Sequence, residues 1–356
     1  LLKHILQKTG YAFVTLIGVV TVIFFLFSVL PGDPAQMMLG QNETEEQLQQ
    51  QKAKYGFDKS IGQQYLYYLN DLSPISWHSS NSTEFSFYSD KKYSGVKLLP
   101  FFWNGDLYLK IPYLRTSFQR QDQKVLDIIK QTLPNTAILA VSSIAIALVI
   151  GIFLGIISAL RKDSFLDKSI QVLSTLGMSL PSFFSAILAA WLFGFVLKEY
   201  TGLNMTGNLY ELDDFGEKRE LHLKNLILPA LVLGIRPLAV VIQLMRSSLL
   251  EVFQQDYIRT AKAKGLNTYS IVARHGIKNA LNPVVTAISG WFASMLAGAV
   301  FVEYIFGWNG LGKEIVDALN TLDLPIIMGA VLTIAILFII INILVDIIYK
   351  LLDPRI

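Results

Sequence analysis

Six stretches of about 20 or more mostly apolar residues constrain this chain more than any other feature, because each is long enough to cross a bilayer core roughly 30 Å thick. They cover residues 11–30, about 132–160, about 169–197, about 226–245, 283–306 and 326–351. A bilayer interior offers backbone N–H and C=O groups no water, so each span must be a helix. The expected fold class is therefore an all-α membrane protein with about six transmembrane helices. Composition agrees. The chain is 53% hydrophobic and 16% charged, against roughly a quarter charged in soluble domains. A net charge of +3 with no long basic run excludes a nucleic-acid binder. Cysteine is absent, which removes disulfides and thiolate metal sites. The four histidines, His4, His78, His222 and His275, are far apart and show no metal-binding spacing.

Lysines and arginines in short loops set orientation. With the N-terminus inside, the inner segments carry Lys3 and Lys8, then Arg161, Lys162 and Lys168, then Arg246, Arg259, Lys262, Lys264, Arg274 and Lys278, and finally Lys350 and Arg355. The outer loop near 307–325 carries only Lys313. Both termini are expected in the cytoplasm. The first apolar stretch is too long for a cleaved leader and ends at Leu30-Pro31 without a small-residue site.

The segment 31–131 is long and extracytoplasmic on this reading. Residues 41–72, rich in Gln, Glu and Lys, read as solvated helix. Residues 73–118 are aromatic and turn-rich, which suits short strands in a small cap inserted at about 73–114. An amphipathic helix is expected over 122–131. The expected organisation is thus 1–30, a first span; 31–131, the outer segment; and 132–356, a five-helix core with a cytoplasmic loop at 246–282.

One motif invites a wrong conclusion. Gly307-Trp308-Asn309-Gly310-Leu311-Gly312-Lys313 matches half of a phosphate loop, but Glu314 stands where a magnesium-binding Ser or Thr is needed. No strand precedes it, and the chain is not expected to bind ATP. More informative is the loop 246–282, the longest inner one. Asp256-Tyr257-Ile258-Arg259-Thr260-Ala261-Lys262-Ala263-Lys264-Gly265 favours helix up to Gly265, which marks a turn or C-cap. A second helical run is expected over 269–281. Ile258, Ala261 and Gly265 share a small-residue face flanked by Arg259, Lys262 and Lys264. A basic hairpin on the membrane surface and a protein-docking element both fit that pattern.

Arg246-Ser247-Ser248-Leu249-Leu250-Glu251, the Asp256 to Gly265 run, Arg274-His275, Asn279-Ala280-Leu281 and Pro283 together resemble the cytoplasmic Glu-Ala-Ala loop of ABC importer permeases. The likeness is to the first permease type of the dipeptide/oligopeptide/nickel branch. Leu30-Pro31-Gly32-Asp33-Pro34, Gly310-Leu311-Gly312 with Asp323-Leu324-Pro325, and Leu352-Asp353-Pro354-Arg355-Ile356 match in the expected order. The resemblance covers residues 1–40 and about 115–356 and implies a type I ABC importer permease fold in a bacterial cytoplasmic (inner) membrane. It also implies that a second homologous permease shares the path, that two cytoplasmic ATPases bind ATP and magnesium, and that an extracytoplasmic binding protein delivers short peptides. The chain itself would then be no enzyme and hold no cofactor. The ATPase-docking residues carried over are Thr260, Ala261, Lys262, Ala263, Lys264 and Gly265, with Tyr257 and Arg259 beside them. Thr260 stands where the family's Glu would be, Asn309 replaces a frequent Pro, and the cap is an insertion.

Polar residues inside spans are functional candidates by default. Pro181 and Ser185 mark a kink in the third span, and with Arg236, Trp291 and Ser294 they are candidates for the translocation path. The plainer expectation for Arg236 is burial against a carboxylate or carbonyls of a neighbouring span. Gln243 and Asn282 suit helix–helix hydrogen bonds, Gly151-x-x-x-Gly155 suits close helix packing, and Glu303 and Asp346 suit interfacial solvation. Three rivals are weighed: a nickel or other small-solute permease, an ion-driven secondary transporter and an intramembrane enzyme. The second would show inverted repeats and acidic relays, and the third paired catalytic groups at depth; neither pattern occurs.

Overall fold

The computed structural model describes residues 2–28, 34–39, 44–82, 84–101, 105–120, 122–213 and 215–352. Motif residues Leu30 to Asp33 and Asp353 to Ile356 lie outside these, as does the side chain of Asp346. Two compact units divide the chain: Leu1–Gln131 with Glu314–Ala335, and Thr132–Lys313 with Ile336–Ile356.

The first unit begins with α1 (Leu2–Ser28), α2 (Pro34–Leu39), α3 (Glu45–Tyr55) and α4 (Ile61–Leu72). Thr44 and Gln47 close α3 with a capping box, and Gly56, at φ +75°, ends it in the left-handed region. Three antiparallel strands follow, β1 (Ile75–Ser79), β2 (Gly95–Phe101) and β3 (Gly105–Lys110), in the order β1-β3-β2. The expected short strands are therefore present, and they form one sheet. Its anchor is Asp71, which is buried. Asp71 accepts from the Tyr93 hydroxyl at 2.8 Å and Arg115 Nε at 3.0 Å, while its carbonyl accepts from Lys110 Nζ. Arg115 also lies over the Tyr68 ring, and Tyr68 packs with Val20, Phe24 and Leu332.

The second unit holds the long helices. α5 (Val125–Leu160) runs 36 residues; α6 (Phe165–Ser179) and α7 (Ser182–Trp191) follow. A π turn at Leu192–Val196, α8 (Lys198–Thr201) and a hairpin of β4 (Tyr210–Leu212) and β5 (Arg219–Leu221) lead to α9 (Lys224–Val252). Next come α10 (Asp256–Ala263), α11 (Thr268–Ile271), a π turn at Val272–Gly276, and α12 (Ile277–Phe306). α13 (Leu311–Thr321) and α14 (Leu324–Leu352) close the chain, and their residues from Glu314 to Ala335 belong to the first unit.

This is an all-α membrane protein with two small sheets. Among the described residues, four helices are long and apolar enough to span: α1 from Gly10, α5, α9 and α14 to Val345. A bent pair of helices makes a fifth if it is one span. The remaining expected stretch lies in α12, a 30-residue helix. One expectation needs correction. The third stretch is not one continuous helix: the kink expected at Pro181 is present but far sharper, with Phe165–Ser179 and Ser182–Val196 meeting at 109°. Pro181 causes the break, because it has no N–H to give and restricts Leu180 to extended backbone, observed at φ −75°, ψ 134°.

Glycines let the helices of this unit approach closely. A Cβ on Gly151 would strike Val241, and one on Gly155 would strike Met245, so the Gly-x-x-x-Gly pair of α5 seats α9 directly. Exposed apolar side chains such as Val149, Phe153, Val172 and Leu173 clothe the outer faces of the helices. That exposure is costly in water and favourable in lipid.

Candidate functional site

Three places in the second unit gather the polar chemistry. The first is the hairpin between α9 and α12. α10 turns its Ile258 and Ala261 inward, at 0% and 6% exposure, against Leu249, Val252 and Ala280. The small-residue face therefore fastens α10 to the helix ends and is not the free surface. Outward lie Tyr257, Arg259, Thr260, Lys262, Ala263, Lys264 and Gly265. Gly265, at φ +80°, closes the helix: its N–H reaches Lys262 O at 2.9 Å, and Leu266 N–H reaches Ala261 O at 3.3 Å. These two bonds make a Schellman motif, which requires the left-handed residue that glycine adopts without strain. Asn279 on α12 donates to the Tyr257 hydroxyl at 2.9 Å, a second tie.

Beneath the hairpin stands a pair that the sequence did not disclose. Arg246 donates through Nε at 2.7 Å and Nη2 at 2.6 Å to the two oxygens of Asp167, which is 2% exposed. Ser158 and the N–H of Asp163 also donate to that carboxylate. α5, α6 and α9 are thus joined at one point, next to where the hairpin leaves α9. No spacing signals a contact across 79 residues, so only folding could show it.

The second place is a cavity of about 70 Å³ at the break between α6 and α7. Four of the five path candidates line it: Ser185, Arg236, Trp291 and Ser294, with Leu180 and Ser182 of the break itself. Pro181 makes the bend and is not among the lining residues. Arg236 is the twelfth residue after Lys224, about 18 Å into α9 at helical rise. A cation there costs about 2.5–3.5 kcal/mol unless it meets water or polar partners. The expectation of burial is half met: Arg236 donates to the Leu180 carbonyl at 3.3 Å, yet it is exposed and pairs with no carboxylate among the described residues. Gln243 bridges only weakly, to Met178 Sδ at 3.8 Å. Asn282 is exposed, and its side chain makes no hydrogen bond among the described residues.

The third place corrects an expectation. Glu303 is 0% exposed rather than solvated at an interface. Its Oε2 accepts from the N–H of Gly312 at 2.7 Å and of Lys313 at 3.3 Å, the first turn of α13. A Cβ on Gly310 would fall inside the Glu303 carboxyl group, and one on Gly312 would strike Val300. The glycines that imitate a phosphate loop therefore cradle a carboxyl group of the chain's own, which accepts hydrogen bonds from a helix N-terminus. Thr136 Oγ1 accepts from Leu311 N–H at 2.8 Å, and Asn135 Nδ2 donates to Asn309 O at 2.7 Å, tying the turn to α5. Among the described residues no three of His, Cys, Asp or Glu are placed to hold a metal ion.

Against known proteins, residues 151–356 match the family model described as binding-protein-dependent transport system inner membrane component. Residues 1–80 match the model of the N-terminal part of such membrane components. The di/tripeptide transport system permease protein DppB of Pseudomonas aeruginosa is 32% identical over 100% of this chain and 99% of its own. The dipeptide transport system permease protein DppB of Escherichia coli is 32% identical over the same shares, and that of Bacillus subtilis is 31% identical over 99% and 97%.

Proposed function

The chain belongs to the family of binding-protein-dependent transport system inner membrane components, and from that premise we propose that it carries short peptides across the membrane together with a second, homologous permease. It is a transmembrane permease subunit of an importer. The peptide cargo rests on the relatives, whose names specify dipeptides or di- and tripeptides and which align over almost their whole length. The need for a second permease rests on size. A cavity of about 70 Å³ has room for only a handful of waters at roughly 10–15 Å³ each. A peptide needs more space, which a facing subunit supplies.

Energy enters through the hairpin. α10 is the element on which a cytoplasmic ATPase pushes; two such subunits bind ATP and magnesium, and a binding protein delivers the peptide on the other side. One observation carries this assignment: α10 presents Tyr257, Arg259, Thr260, Lys262, Ala263 and Lys264 outward while Ile258 and Ala261 fix it to the ends of α9 and α12. A short helix so fastened moves with the spans and cannot slide over them. The excess of Lys and Arg in the segments on that side supports a cytoplasmic position for this hairpin and both termini.

Copurification of the ATPase with the tagged permease tests the docking. Ala263→Trp adds bulk to the exposed face without touching Gly265, whose left-handed conformation closes the helix. It is expected to lower ATPase recovery at least fivefold, while Lys350→Ala leaves recovery unchanged. Equal recovery with Ala263→Trp overturns the assignment.

A further inference from the structure

The cavity beside the broken helix has a chemistry more specific than a passage needs. Resting on the reading of that cavity as part of the path, we propose that Arg236, the first turn of α7 and the Ser185 hydroxyl form a transit site for the C-terminal carboxylate of the peptide.

Four observations support the assignment. Arg236 lies near the middle of α9, with twelve residues before it and sixteen after, where a cation is costly unless water or polar groups meet it. Its one hydrogen bond among the described residues, to the Leu180 carbonyl, uses a single donor of the five that guanidinium carries. The rest of the fork is free, and it matches the two oxygens of a carboxylate. Next, α7 starts at the same cavity through Ser182, its N-cap is Pro181, and no side chain caps its first turn. Uncapped N–H groups at the positive end of a ten-residue helix favour an anion. Third, Ser185 is 9% exposed, lines the cavity and makes no side-chain hydrogen bond among the described residues. A hydroxyl that lines the cavity and is not engaged elsewhere is available to donate to an acceptor arriving there. Last, among the described residues no aspartate or glutamate lines the cavity, so none of them offers an anion to fill it. The break at Pro181 serves all of this at once, because bending by 109° brings a helix start to the cavity wall.

An anion attracted this way must also leave, and the exposed position of Arg236 keeps its charge hydrated enough for that. Arg236 is a positioning residue for cargo in passage, not a high-affinity receptor.

The absence of cysteine makes a direct test clean. Ser294→Cys is introduced at the cavity wall, and the complete importer is reconstituted with its partner permease, ATPases and binding protein. Labelling rates are compared for an anionic and a cationic methanethiosulfonate of similar size. The anionic reagent is expected to react about tenfold faster, as focusing of field in a lined cleft permits. In the Arg236→Gln background that preference falls below twofold, and in Arg236→Lys it persists. Alanyl-alanine slows labelling during ATP turnover, whereas alanyl-alanine amide does not. Labelling without charge preference, or equal protection by acid and amide, removes the carboxylate site while leaving the path. No labelling in any state shows that the cavity never meets water and removes path and site together.

Discussion

The two ends of the α9–α12 pair each bury a carboxylate, and they hold it in opposite ways. Beside the hairpin, Asp167 is gripped by the Arg246 fork, a hydroxyl and an N–H. At the far end of α12, 27 residues beyond Gly276 or about 40 Å of helix, Glu303 accepts from two backbone N–H groups, and its Oε1 has no hydrogen-bond partner among the described residues. The first joint links three helices through side chains that either stay paired or come apart. The second is moulded from backbone, so glycines must make room for it. A joint of paired charges can open as a unit when a lever moves, whereas a backbone cradle holds its turn in shape. On the proposed docking, the hairpin end is the place for transmitted motion, and the α13 end is the place for a fixed frame.

The largest effect is expected where a charge would be stranded. Arg246→Ala leaves buried Asp167 without its cation and should cost about 3 kcal/mol, read as a clear drop in melting temperature of the purified complex. Asp167→Leu with Arg246→Met should recover most of the loss, since an apolar pair of similar volume is often neutral. A double variant as unstable as the single one would break the contrast.

At the other end the expected effect is smaller and steric. Gly310→Ala should cost about 2 kcal/mol through overpacking against Glu303 and much less in a Glu303→Ala background, giving a coupling of at least about 1 kcal/mol. Independent, additive losses would mean that the glycine is not there for the carboxylate.

The smallest effect concerns a third carboxylate, Asp71 beside the three-stranded sheet, whose neighbours titrate. Burial lowers the Lys110 pKa to about 8, partly opposed by the Asp71 charge. Burial raises Tyr68 to about 12, opposed by Arg115, and burial with the Asp71 charge raises Tyr113 to about 12. Between pH 8 and the ordinary lysine value near 10.5, the unfolded chain holds the Lys110 proton and the folded one does not, so stability rises with pH. Above pH 10 the unfolded tyrosines ionise first, and stability falls. Thermal denaturation should therefore peak near pH 10. A monotonic fall from pH 8 would show that Lys110 is not desolvated.

Much of this was legible in advance. Apolar length announced the spans, Gly265 announced the end of α10, and clustered aromatics announced strands before β1 to β3 were seen. Ser185, Arg236, Trp291 and Ser294 were singled out only as polar groups within spans, and one cavity gathers them. The kink at Pro181 is readable from the sequence but its 109° sharpness is not, because hydropathy averages over a helix break. Glu303 was misread, because a residue near the end of an apolar run looks solvated until its neighbours are known.

Local rules thus decided the helices, their ends and the membrane, since periodicity, capping and the cost of unpaired backbone act within a few residues. Tertiary structure alone decided which way α10 faces, that Arg246 meets Asp167, and that the glycine turn closes on Glu303 and not on a phosphate. Those outcomes depend on atoms brought together across dozens of residues, where desolvation and contact geometry have no signature along the chain.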